Sequence, residues 1–342
     1  MTLDVRPSAR DVLSHGRALF DPALRAAVDR LPGTMRHIAG YHFGWWDADG
    51  TQLDADQGKA IRPTMTLCSA AAVGGAVADA VPAAVAVELV HNFTLLHDDV
   101  MDRDRTRRHR ATAWCVFGTG QAILAGDALL TLAYEVLAED GHPAFRPAAT
   151  ALSHAVLAVQ DGQAADLSFE TRTDVTLPEC VRMAQQKTAA LLGCATGLGA
   201  LYGGGTPEQV AHLRSFGEHI GLAFQLVDDL LGIWGDPEVT GKPVHSDLVS
   251  RKKSLPVVAA LRTTSPAADR LAELYLTPDP LAPATAATAA DLVAEAGGRA
   301  WCRDEIATHH ARAAESLRLG AVNERPAAEL SALADLITHR DH

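Results

Sequence analysis

Apolar residues recur along most of this chain at intervals of three and four, the repeat that lays one buried stripe along a helix. The pattern predicts amphipathic helices over 9–19 and 23–31, broken by Pro22, Pro32 and Gly33, as surface-packing elements of the first fifty residues. Gly58-Lys59-Ala60-Ile61-Arg62-Pro63 then opens an apolar helix. Further helices are predicted over 82–102, 121–137, 147–161, 177–201 and 209–233, and again over 255–261, 271–276, 288–296, 299–317 and 327–338. Gly and Pro punctuate the stretch 235–253, where an ordered loop is expected. Strand-like alternation of Val, Ile and Thr is rare. The predicted class is therefore all-α, a helical bundle with short connections.

Composition narrows this picture. With 342 residues, of which 48% are hydrophobic, the chain can bury a large core, and no linker, charge block or repeat marks a seam. A single domain over 1–342 is expected. A formal net charge of -12 argues against a nucleic-acid or anionic-membrane surface, either of which needs a basic patch, and points to small-molecule partners. Cys68, Cys115, Cys180, Cys194 and Cys302 are odd in number and widely spaced, as reduced core thiols of a cytoplasmic protein would be. The amino-terminal residues lack the cationic-then-apolar layout of a secretion signal. The uncharged stretch 188–207 is rich in Gly and Ala, which suits close packing of a core helix better than a membrane span.

Candidate chemistry gathers in two places. His97-Asp98-Asp99-Val100-Met101-Asp102 is followed by Arg107 and Arg108, and Phe224-Gln225-Leu226-Val227-Asp228-Asp229 by Lys242. On a helix His91, Leu95, Asp98 and Asp102 share one face, with the two carboxylates a turn apart. Clustered carboxylates in an apolar stretch repel one another unless a cation neutralises them. One Asp-Asp pair alone reads as a solvated helix face; two copies, each in an apolar run, point to bound metal. Mg2+ fits such a site because it is commonly shared between one or two carboxylates and phosphate oxygens. The cations imply that anion: Arg107 and Arg108 lie near the first cluster, and Lys187, Lys242, Lys252 and Lys253 around the second. Lys59, Arg62 and His91 could hold a second anionic group without metal.

The order Gly58-Lys59-x-x-Arg62-Pro63, His91, Asp98-Asp99-x-x-Asp102 with Arg107-Arg108, Gly162-Gln163-x-x-Asp166, Lys187-Thr188, Phe224-Gln225-x-x-Asp228-Asp229, Gly241-Lys242 and Lys252-Lys253-x-x-Pro256 resembles the trans isoprenyl diphosphate synthases from about Leu19 to the end. The resemblance implies an all-α prenyl-synthase fold, usually a homodimer, with a central cavity between the aspartate-bearing helices. It implies that Asp98, Asp102 and Asp228 are ligands of three Mg2+ ions holding an allylic diphosphate, with Asp99 and Asp229 supporting them. Arg107, Lys187 and Lys242 are then its cationic partners, with Lys252 also on substrate. Lys59, Arg62, His91 and Arg108 form the site for isopentenyl diphosphate, and Gln225 and Thr188 face the reacting carbons or the departing diphosphate. The implied reaction is ionisation, condensation and elimination.

Some positions depart from the family pattern. Gly232 stands where a third aspartate is common, with Asp236 four residues on; His109 and Ala111 replace a Gly and a Pro, and His245 replaces a Gly. Phe93, five residues before Asp98, with Thr94 beside it, resembles the chain-length floor of geranylgeranyl diphosphate synthases. A twenty-carbon product is expected, with farnesyl or geranylfarnesyl products as alternatives. A class I terpene cyclase would carry an Asn/Ser/Glu metal motif in place of Asp228-Asp229. A catalytically silent regulatory subunit would have lost motif aspartates or cations, and here they are intact.

Overall fold

The computed structural model describes residues 8–53, 55, 58–237, 244–275 and 281–338. Helix α1 (Ala9–Val28) buries Val12, Gly16, Phe20, Leu24, Ala27 and Val28 along one stripe and runs on through Pro22. The break expected at that proline does not occur. Pro22 and Ala18, the residue whose carbonyl loses its partner, are both on the exposed side, where water can satisfy that carbonyl. Pro32 and Gly33 do not merely separate elements either: they open α2 (Gly33–Phe43), which ends at the left-handed Gly44 (φ 79°). These first fifty residues are more than a surface layer, because Phe20, Ile38, Tyr41, Phe43 and Trp45 are all buried.

Helix α3 (Ile61–Ala72) and a 3-10 turn (Val77–Ala80) lead into α4 (Val81–Met101), whose residues Ala83 to Val90 are buried without a gap. A two-stranded hairpin follows, β1 (Thr106–Arg107) against β2 (Arg110–Ala111), then α5 (Ala113–Phe117) and α6 (Thr119–Glu139). Helix α7 (Phe145–Phe169) precedes α8 (Leu177–Ala184), which starts with a Thr176–Glu179 capping box. The helix expected over 177–201 is interrupted by a π segment (Gln185–Ala189) before α9 (Ala190–Tyr202). The remaining helices are α10 (Pro207–Trp234), α11 (Ser246–Val249), α12 (Leu255–Leu261), α13 (Pro266–Tyr275), α14 (Pro283–Glu295), α15 (Gly298–Gly320) and α16 (Glu324–Thr338). Apart from β1 and β2, the only strand pairing among the described residues is an isolated Trp46–Gln52 bridge. The class is all-α.

The chain forms two compact units, each assembled from three separated segments: 1–154, 194–214 and 318–333 in the first, 155–193, 215–317 and 334–342 in the second. In the first unit α4 packs along α6 and against α3 and α1. Gly199 and Gly203 let α9 lie on the backbone of α3, where a Cβ at Gly203 would stand 2.6 Å from the Ala70 carbonyl. The small residues of 188–207 thus serve packing. In the second unit one core gathers Ile233, Leu248, Val257, Leu271, Tyr275 and Val293, and another gathers Phe169, Cys180, Leu226, Leu255 and Cys302. Among the described residues two helices are long and apolar enough to cross a membrane by length and composition, 77–101 and 119–139; 67% and 39% of their most apolar windows are buried within the protein.

Candidate active site

In the first unit α4 delivers the first aspartate cluster. The Asp102 amide still donates to the Asp98 carbonyl (2.8 Å), so helical geometry persists to the end of the motif and keeps these residues one turn apart. Asp98 is half-buried and Asp102 exposed, whereas the Asp99 side chain is only 2% exposed. Asp99 Oδ1 accepts from Arg107 Nε (2.8 Å) and lies 2.7 Å from its Nη2. Burial pushes the Asp99 carboxyl up to about 6, against the pull of Arg107. Asp99 is therefore committed to the hairpin, while Asp98 and Asp102 form the face with His91.

Arg62, on the first turn of α3, places Nη1 3.3 Å from His91 Nε2. Burial holds Arg62 down to about 10, with Glu88 pulling the other way. Burial, together with Arg62, Arg108 and Arg107, keeps His91 well below its ordinary value. The imidazole is neutral and can accept from the guanidinium. Lys59 is exposed just before α3. Beside it, Gly58 has φ +79° and lies flat on the Arg108 guanidinium, with 2.6 Å from a Cβ position to Nη2, while Arg17 Nη2 donates to the Gly58 carbonyl (2.5 Å). Only glycine satisfies both the backbone angle and the close approach there. Lys59, Arg62, His91 and Arg108 thus share one polar region of this unit. Phe93 is 4% exposed and sits edge-on to His97 at 4.8 Å, and Gly126 of α6 leaves the room that the His97 ring occupies. Thr94 Oγ1 donates to the His91 carbonyl (2.7 Å).

In the second unit α10 presents Asp228 exposed and Asp229 buried. Asp229 accepts from Gln225 Nε2 (2.9 Å) and from the Leu255 amide (2.9 Å), and Lys252 Nζ stands 3.8 Å away. Burial pushes its carboxyl up to about 6 despite Lys252. Burial pulls Lys252 down, but Asp229, Asp247, Asp166 and Asp228 together hold it above the ordinary lysine value. Gln225 Oε1 accepts from Thr188 Oγ1 (2.5 Å), and Lys187 Nζ pairs with Asp166 (2.6 Å). Lys187 and Thr188 belong to the π segment, and Gly162 of α7 lies against the Lys187 backbone. The motif glycine thus lets α7 approach the widened turn. Lys242 lies outside the described residues.

The departures acquire physical reasons. A side chain at Gly232 would overlap the Asp247 carboxylate, which is also 3.8 Å from Lys252. Asp247 adjoins the position of the missing third aspartate. His109 (φ 62°) and His245 (φ 64°) are both left-handed, the region where glycine is unstrained. Periodicity gave no signal for Asp247 or for the residues that brace the hairpin, which lie far in sequence from what they touch; Glu88, three residues before His91 and buried beside Asn92, sits in an apolar run with no neighbouring carboxylate to mark it.

The donor set suits Mg2+: Asp98 and Asp102 offer hard carboxylate oxygens one turn apart, and Asp228 offers another in its own unit. Among the described residues no three His, Cys, Asp or Glu side chains gather into a metal-holding group. A Mg2+ ion completed by water and phosphate oxygens needs no such group.

The polyprenyl synthetase family profile matches residues 49–293. The chain is 47% identical over 334 residues to a (2E,6E)-farnesyl diphosphate synthase of Mycobacterium tuberculosis, covering 96% of this chain and 92% of that one. It is 48% identical over 289 residues to a geranylgeranyl diphosphate synthase of the same organism, covering 84% and 82%. A polyprenyl synthetase from Streptomyces coelicolor A3(2) superposes with a TM-score of 0.91 at 49% identity, over 96% of this chain and 98% of that one. Together with the ordered motifs and the helical fold, these matches establish that the chain belongs to the polyprenyl synthetase family and is a chain-elongating trans-prenyltransferase.

Proposed function

We propose that this enzyme condenses isopentenyl diphosphate with an allylic diphosphate and that its main product is geranylgeranyl diphosphate. The observation that carries the chain-length reading is Phe93. It is buried one and a half turns before Asp98 and braced edge-on by His97, whose ring fills the space left by Gly126. An aromatic ring so fixed is a rigid stop for a growing apolar chain, with Thr94 the small residue beside it. A farnesyl product is the second reading, because the mycobacterial farnesyl diphosphate synthase matches more of this chain than the geranylgeranyl enzyme does.

In the first unit Asp98 and Asp102 hold Mg2+ for the allylic diphosphate, Arg107 faces its oxygens, and Lys59, Arg62, His91 and Arg108 hold isopentenyl diphosphate. In the second unit Asp228 is the metal ligand, Lys187, Lys242 and Lys252 carry the charge of the departing diphosphate, and Thr188 and Gln225 sit beside them. Mg2+, when bound, supplies neutralisation of the negative charge that grows on the leaving group. The allylic C–O bond breaks with its electron pair going to diphosphate, and fixed cations aimed at that charge lower the barrier. The double bond of isopentenyl diphosphate attacks the allylic cation, and the proton then lost goes to the released diphosphate. Three Mg2+ ions, a cytoplasmic location and one domain over 1–342 complete the reading. It is supported by the unpaired state of all five cysteines and by a family match that crosses both units.

Incubating purified protein with isopentenyl diphosphate, farnesyl diphosphate and Mg2+ and resolving products by chain length tests the proposal. Twenty-carbon product is expected, and Asp98→Ala should remove nearly all turnover. A mainly fifteen- or twenty-five-carbon product from the full substrate set would overturn the chain-length assignment.

A further inference from the structure

The loop between β1 and β2 has two residues, Arg108 and His109, and both have positive φ (49° and 62°) between the pairs Thr106–Ala111 and Arg107–Arg110. That is a turn of the I′ class, which ordinarily carries Asn-Gly because side chains are strained in both central positions. Here neither position is glycine, so something outside the turn must hold it. Arg107 is fixed separately, through its two contacts to Asp99.

The bracing comes from α2 and the loop after it. Arg110 Nη1 donates to the Tyr41 carbonyl (2.8 Å) and Nη2 to the Trp46 carbonyl (3.0 Å), and its guanidinium lies 4.3 Å from the centre of the Tyr41 ring. Tyr41 returns a hydrogen bond from its hydroxyl to the Ala111 carbonyl (2.8 Å), and Phe117 meets the Tyr41 ring edge-on at 5.2 Å. Both residues of β2 are thus tied to α2 and its loop. A small cavity of about 20 Å3, bounded by His42, Asp99, Arg107 and Arg108, lies behind the hairpin.

We propose that Arg110 and Tyr41 form a clamp that holds the Arg108–His109 turn in its left-handed form and so positions the Arg108 guanidinium against Gly58 for the second diphosphate. Arg110 is a positioning residue; it acts through Arg108. The inference rests on the proposed role of Arg108 in holding isopentenyl diphosphate.

Steady-state kinetics on four variants tests it. Arg108→Ala should raise KM for isopentenyl diphosphate about tenfold or more, as loss of a charged contact does. Arg110→Ala should raise the same KM about tenfold while kcat and KM for the allylic substrate change less than about threefold, since Asp99 still anchors Arg107. Adding His109→Gly to Arg110→Ala should recover most of the loss, because glycine holds the turn unaided. Tyr41→Phe, which deletes one hydrogen bond, should raise that KM about three- to fivefold and decides the matter if Arg110→Ala does not fold. An unchanged KM in Arg108→Ala overturns the assignment of Arg108 itself. A raised KM in Arg108→Ala overturns the clamp alone if any of three results accompanies it: an unchanged KM in Arg110→Ala or in Tyr41→Phe, a uniform loss of all constants, or no recovery with His109→Gly.

Discussion

Within each aspartate pair the two members have different surroundings. Asp99 and Asp229, the second members, are each 2% exposed at the side chain and already bonded to Arg107 or to Gln225 and the Leu255 amide. The first members, Asp98 and Asp228, keep access to solvent. Burying a carboxylate is tolerated only with such partners, so the second members serve the fold, and the proposed metal-holding role falls to the more exposed first members. Backbone strain is similarly localised: Ala60, Arg103, Arg108, His109, His245 and Arg251 have positive φ, all close to candidate site residues. His245→Gly should relieve about 1–2 kcal/mol of left-handed strain and lose about 0.5–1 kcal/mol to the greater freedom of the unfolded chain. The net expectation is stabilisation of about 0.5–1 kcal/mol, read as a higher urea midpoint with an unchanged slope. A lower midpoint would mean that the bond from His245 to the Ile233 carbonyl (2.6 Å) outweighs the strain.

At the scale of elements, the π segment 185–189 explains why a glycine opens the Gly162-Gln163-x-x-Asp166 motif. The extra residue in that turn swells the helix just where Lys187 and Thr188 sit, and α7 can pass only if position 162 has no side chain. A Cβ there would stand 2.9 Å from the Lys187 Cα, so neither backbone could stay in place. Gly162→Ala should cost about 1–3 kcal/mol of stability, typical of overpacking, and should lower kcat by displacing Lys187 from Asp166. Retained stability and full turnover together would show that the segment adapts freely. The helical periodicity of 177–201 was legible, but the π turn within it was not. One added residue per turn shifts the stripe only locally, and what stabilises it is a neighbouring helix.

At the scale of the whole molecule, α5 and α6 leave neighbouring apolar side chains exposed. Ile123 and Leu124 are 38% and 54% exposed, beside Val116 at 37%. Exposed apolar residues grouped on two adjoining helices mark an interaction surface. The homodimer expected for the family would cover them. Leu124→Glu should then convert the protein from twice the chain mass to the chain mass in sedimentation equilibrium, with the helical circular dichroism retained. A monomeric wild-type protein would leave that face to another partner.

The sequence by itself determined the helical class, most helix positions and the order of the motifs, because a buried stripe and a carboxylate-rich face are written at intervals of three and four along one helix. It could also say that His109, His245 and Gly232 depart from a pattern. It could not say what those departures meet. That Asp247 fills the space at Gly232, that Asp99 turns from the metal face to Arg107, and that Arg110 and Tyr41 brace a strained turn all depend on contacts between residues 8 to 70 positions apart. Pro22 likewise owes its place inside α1 to tertiary structure: a proline breaks a helix in isolation, but burial of Phe20 and Leu24 on the far side holds this one together. Local chemistry sets which helices form, whereas burial and close approach set which of their side chains remain available for function.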